Sequence, residues 1–263
     1  MKKVIALALL IPAITVAKSP FDGTWKSRLD SYRFSGKPEV YQVSNGMYDC
    51  KSCAPPYKIK ADGTDQPVPD HAYLDHESVK IVNASTIELT DKQAGKVMAT
   101  LTMTVAPDGS KLIGKFTNYS GEKPFSGTFT EKRVAPGTPG AHSLSGSWMQ
   151  DSLADMSDAG LTGSLQSTPN GLKMMWNGQT TDAKFDGKEY PTVGDPGKTM
   201  VTLKRVSDTQ FEETDRRQGK VFDIIVWTVA ADGKSIHVED TDPIHGTKTT
   251  FAMDKQQYRE EAP

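Results

Sequence analysis

Only two cysteines, Cys50 and Cys53, occur in a chain of 263 residues. A zinc site built on paired cysteines would need two further ligands, and no second pair exists to supply them. Charge of one sign is equally scarce: 31 Lys and Arg face 33 Asp and Glu, a formal net charge of −2. Losing Lys2 and Lys3 with a leader would make it −2 − 2 = −4. Such a balance excludes nucleic acid as an expected partner, because that role draws on a basic surface. Long apolar runs are missing beyond Val16, and Val4 to Val16 is too short to span a bilayer comfortably. The chain is therefore not expected to be an integral membrane protein. There is no Gly-x-Ser-x-Gly elbow and no glycine-rich phosphate loop ahead of a helix. No enzyme activity, cofactor or metal is expected.

What is present begins with a leader. Lys2 and Lys3 precede the apolar stretch, and Thr15-Val16-Ala17 supplies small residues for cleavage, so 1–17 reads as a signal peptide. No cysteine follows it for lipid attachment, and a periplasmic or secreted protein is expected. That compartment bears on Cys50-Lys-Ser-Cys53. In the cytosol the pair would suggest a redox motif or half a metal site. Outside it, a local disulfide is the expected form.

The chain carries an internal repeat. Asp91–Gly109 returns as Asp215–Gly233, shifted by 124 positions without a gap and with nine identities. Gly23-Thr-Trp25 likewise returns as Gly146-Ser-Trp148, and Asn45-Gly46 as Asn170-Gly171. Between these marks run short stretches of strand character closed by turn residues, such as Glu39 to Ser44 before Asn45-Gly46. Seven or eight antiparallel strands per copy are expected, giving an all-β fold of two tandem antiparallel barrels. The expected division is a first barrel over 18–133, a linker over 134–142, a second barrel over 143–256 and a flexible tail over 257–263. Ser152 to Ala159 could form one short helix.

A Gly-x-Trp on the first strand of such a unit resembles the lipocalin-like, or calycin, barrels. The longer series Gly-Thr-Trp-Lys, Tyr32-x-Phe34-Ser-Gly-Lys-Pro and Asn45-Gly46-Met-Tyr-x-Cys is similar to a group of exported bacterial tandem lipocalin-like proteins. That group has no established activity, so the resemblance implies a fold and leaves function open. It also implies that each Trp plugs a barrel end beneath a basic residue of the last strand. Arg133 would cover Trp25, and Lys255 would cover Trp148.

On the long strand Val97, Ala99, Leu101, Met103 and Val105 share one face, expected to point inward. Their equivalents are Val221, Asp223, Ile225, Trp227 and Val229. Leu101, Met103, Ile225 and Trp227 are therefore candidate ligand-binding residues, or else core filler. Phe222, Ile224 and Val226 form an apolar outward row, expected to be buried by the first barrel. His71 and His76, near Asp70, Asp75 and Glu77, read as a solvated loop rather than a metal site. The acidic runs around Glu213 and Asp240 read mostly as outer-face charges. Two functions fit: an exported binding protein holding a small apolar ligand in one or both barrels, or a cell-envelope interaction module with filled barrels.

Overall fold

The computed structural model describes residues 19–257. The expected signal peptide (1–17) and all but the first residue of the expected tail (257–263) lie outside the described residues. After β1 (Gly23–Ser27) and β2 (Arg33–Gly36) come β3 (Glu39–Ser44), β4 (Met47–Cys50), β5 (Tyr57–Lys60), β6 (Asp62–Pro67) and β7 (His76–Asn83). Next are β8 (Thr86–Gln93), β9 (Lys96–Val105), β10 (Lys111–Asn118), β11 (Phe125–Pro136) and β12 (Gly146–Ala154). One helical turn, α1 (Asp158–Leu161), precedes β13 (Thr162–Thr168), β14 (Gly171–Trp176), β15 (Gln179–Lys184) and β16 (Tyr190–Val193). The chain ends with β17 (Met200–Arg205), β18 (Gln210–Arg217), β19 (Lys220–Val229), β20 (Ser235–Asp242) and β21 (Thr247–Lys255).

These strands form two antiparallel barrel-like sheets. One contains β3 to β12 and the other β13 to β21 together with β1 and β2. Strands β1 and β2 pair end to end along the same edge of β21, through Trp25–Ser27 and Arg33–Gly36. They count as one interrupted strand, so each barrel has ten positions rather than the expected seven or eight. Short strands such as β4 and β16 account for the difference, because a four-residue run shows little periodicity.

The expected division at 134–142 does not follow the barrels. Strand β12, with the second Gly-x-Trp, pairs with β11 and β3 and closes the first barrel. Strand β1, with the first Gly-x-Trp, pairs with β13 and β21 and closes the second. Consecutive antiparallel strands joined by a short connection tend to pair, and β12 follows β11 after only the segment 137–145. The first barrel is thus contiguous over 39–154 and sits as an insertion within the second. The supposed linker is partly strand, since Ala135 and Pro136 pair with Ser147 and Gly146. Strand β12 also runs on to Ala154, so of the helix expected over Ser152 to Ala159 only Asp158 and Ala159 are helical, in the single turn α1.

Exchange of the first strands also exchanges the basic partners. Arg133 lies over Trp148, 3.9 Å from the ring centroid, and Lys255 lies over Trp25 at 4.9 Å. Each Trp is fully buried and donates its Nε1 hydrogen to the carbonyl four residues back, Phe21 at 2.7 Å and Leu144 at 2.8 Å. Glycine is needed at Gly23 and Gly146 for two reasons. Their φ values are +144° and +139°, and an added Cβ would meet Lys255 Cε at 2.6 Å or Ala135 O at 2.5 Å.

Candidate functional site

A cavity of about 330 Å³ opens inside the second barrel. Its apolar lining includes Met174, Trp176, Ile225, Trp227 and Phe251, delivered by the inward positions of β14, β19 and β21. Trp227 stacks on Phe211 at 5.7 Å between centroids and tilts against Trp176 at 5.6 Å. Of the four candidate ligand residues, Ile225 and Trp227 line this cavity. Leu101 and Met103 belong to the packed interior of the first barrel, among Tyr48, Ile87 and Leu89.

The opposite lining is acidic: Glu213 and Asp215 from β18, Asp223 from β19 and Asp240 from β20. The register sets Asp215 directly across from Asp223, and Ile225 across from both Glu213 and Asp240. Glu213 is 7% exposed and accepts the Nε1 hydrogen of Trp227 at 2.8 Å. Burial pushes the carboxyls of all four above the usual carboxylate range. Mutual repulsion adds to this for each: Asp215 acts on Glu213, Asp240 on both Asp215 and Asp223, and Asp242 on Asp240. Asp195 also lines the cavity but is satisfied by the backbone N–H groups of Thr199 and Gly197, at 2.8 and 3.1 Å.

The mouth is spanned by residues of both barrels. Arg217 donates to the Tyr73 hydroxyl at 2.6 Å and to Thr199 Oγ1 at 3.2 Å. Its guanidinium stacks on Phe222 at 3.7 Å and on Tyr73 at 4.5 Å. Tyr73 comes from the β6–β7 connection of the first barrel, and burial pushes its hydroxyl up to about 12. A wider crevice between the barrels, of about 570 Å³, shares Tyr73, Trp176 and Gln179 with the cavity.

Several expectations need correction here. Glu213 and Asp240 are inward, not outer-face: each alternates with core residues, Phe211 on β18 and Ile236 and Val238 on β20. That period-two pattern was legible in the sequence, as was Asp223 on the inward face. Phe222 is not part of a straight outward row. The register between β18 and β19 slips there, pairing Asp215 with Asp223 but Arg216 with Val221. The extra residue turns Phe222 to the cavity mouth. Ile224 and Val226 are half-buried within their own sheet, beside Thr214, Thr241, Glu212 and Glu239 in register. Glu77 is not solvated either; it is 3% exposed, and burial raises its carboxyl beside Asp91.

Cys50 and Cys53 form a disulfide with Cα atoms 5.4 Å apart, at the end of β4. His76 pairs with Asp75 at 2.9 Å, while His71 packs edge-on against Tyr57 at 5.2 Å. Among the described residues, no group of three or more His, Cys, Asp or Glu is placed to hold a metal ion. No helix among them is long and apolar enough to cross a membrane. Comparison with protein-family models, with curated proteins and with solved structures finds no match to this chain.

Proposed function

We propose that this chain is an exported, non-enzymatic binding protein whose second barrel holds one small amphiphilic molecule. The observation that carries the reading is the cavity itself: an aromatic wall facing a polar wall, of a size typical for small-ligand sites. The expected small, mostly apolar ligand is given a polar head accordingly, since four carboxyls require a polar group to meet them. The first barrel has the other role. Tyr48, Ile87, Met103 and Trp148 occupy its interior, as suits a filled module that supplies Tyr73 to the neighbouring mouth. Lipocalin-like kinship belongs to the same proposal and is supported by the Gly-x-Trp beneath a basic side chain in each barrel. Export is supported by the N-terminal sequence and by a disulfide that suits an oxidising compartment.

Native mass spectrometry of the full-length protein from its own host tests the reading. A bound small molecule, released together with a change in tryptophan fluorescence, is the expected result. Ligand-free protein that captures a protein partner instead would favour the interaction module.

A further inference from the structure

We propose that the ligand of the second barrel is an organic cation: an amine or quaternary ammonium group on an apolar body. This rests on the reading of the cavity as a small-molecule site. The charges of the lining do not balance. Among the described residues, Asp195, Glu213, Asp215, Asp223 and Asp240 face the cavity with one cation, Arg217. Arg217 is already committed to Tyr73 and Thr199 and lies between two aromatic rings. Asp215 Oδ1 and Asp240 Oδ1 are buried without a hydrogen-bond partner among the described residues. Acceptors left in that state are strongly unfavourable, and a ligand that donates hydrogen bonds and carries positive charge would satisfy them.

The repeat shows that the fold does not require three of these carboxyls, whereas Asp215 is matched by Asp91 in the first barrel. At the equivalent positions of the first barrel, Glu213 is matched by Leu89, Asp223 by Ala99 and Asp240 by Phe116. The same strand geometry accepts apolar residues there, so three acidic side chains are peculiar to the barrel that has the cavity. Groups buried against their own stability in a cleft point to a binding role.

The occupant is not a bare metal ion, because the carboxyls are not placed to hold one. An anionic amphiphile is disfavoured as well, since its head would meet four carboxyls for one committed guanidinium. The faces of Trp176, Trp227 and Phe251 suit both an apolar body and a cation held over a ring.

Calorimetric titration of the full-length protein with octylamine, octanol and octanoate tests this, because the three share a body and differ in the head. Octylamine should bind about ten-fold or more tightly than octanol, with octanoate weakest. Asp223→Asn with Asp240→Asn should weaken octylamine about ten-fold and leave octanol within about two-fold. Equal binding of amine and alcohol, tightest binding of octanoate, or amine binding unmoved by the substitutions would each overturn the cation reading. So would a lack of octylamine binding. If octanol or octanoate nevertheless binds with a tryptophan fluorescence change, the cavity reading survives alone. If none of the three binds and no native ligand is found, both readings fall.

Discussion

Lys255 extends its ammonium over the ring of Trp25, 4.9 Å from the centroid, joining the last described strand to the first. The pairing Trp25↔Lys255 closes the second barrel, just as Arg133↔Trp148 closes the first. The two barrels consequently differ in kind, one contiguous and the other interrupted.

That difference predicts how the chain can be divided. A fragment spanning 37–156 contains every strand of the first barrel and should fold alone. A fragment spanning 143–257 lacks β1 and β2 and carries β12 without its partners. It should remain unfolded by circular dichroism and proton NMR. Independent folding of the second fragment would be incompatible with the strand exchange.

Trp25→Ala and Trp148→Ala should each destabilise by roughly 3–5 kcal/mol, the range for deleting a buried Trp side chain. The location of the damage is the sharper readout. Hydrogen–deuterium exchange should rise in β13 to β21 for Trp25→Ala, and in β3 to β12 for Trp148→Ala. The opposite assignment would restore the division read from the sequence.

Stability should fall as pH rises. Glu213, Asp215, Asp223 and Asp240 bind protons more tightly in the fold than in the unfolded chain, chiefly because they are buried. Glu131 of the first barrel, pushed up to about 7 by burial, acts in the same direction. Groups raised in this way stabilise fully below the unfolded carboxylate range near about 4 and lose that contribution as pH climbs through the folded values. Around the second-barrel carboxyls, Asp242, Asp195 and Tyr73 share this acidic side, while the Arg217 charge and the hydrogen bond from Trp227 to Glu213 oppose it. The melting temperature should therefore decline between about pH 5 and about pH 9. A flat profile would show that the carboxyls are more solvated than their surroundings imply.

Asp223→Asn should raise the melting temperature near about pH 8 and change it little near about pH 5, because it removes a charge that burial disfavours. The same substitution should weaken cation binding. Loss of stability at both pH values would instead make Asp223 a structural residue.

Ile224 and Phe222 should behave differently. Ile224→Glu places a charge on the outer face beside Thr214 and Thr241 and should leave the small-angle scattering profile unchanged. Phe222→Ala removes the ring beneath Arg217, the residue that reaches Tyr73 across the barrels. Its profile should show greater inter-barrel motion. If Ile224→Glu loosens the barrels and Phe222→Ala does not, the contact has been misplaced.

The all-β repeat, the boundaries of strands such as Glu39–Ser44 and Tyr57–Lys60, and the inward slot of Trp227 were all legible in the sequence, because they rest on local alternation and turn residues. So was the inward side of Asp223, although its neighbours across the sheet were not. Which strand closes which barrel was decided only by tertiary pairing, since β1 and β12 carry the same Gly-x-Trp and either could fill either place. The slip that turns Phe222 to the mouth depends on the β18–β19 register and leaves no mark in composition. The acidic wall arises in the same way: Glu213, Asp215, Asp223 and Asp240 lie on three strands. Only hydrogen-bonded neighbours in a closed sheet bring their carboxyls to one cavity, where burial and repulsion give them their chemistry.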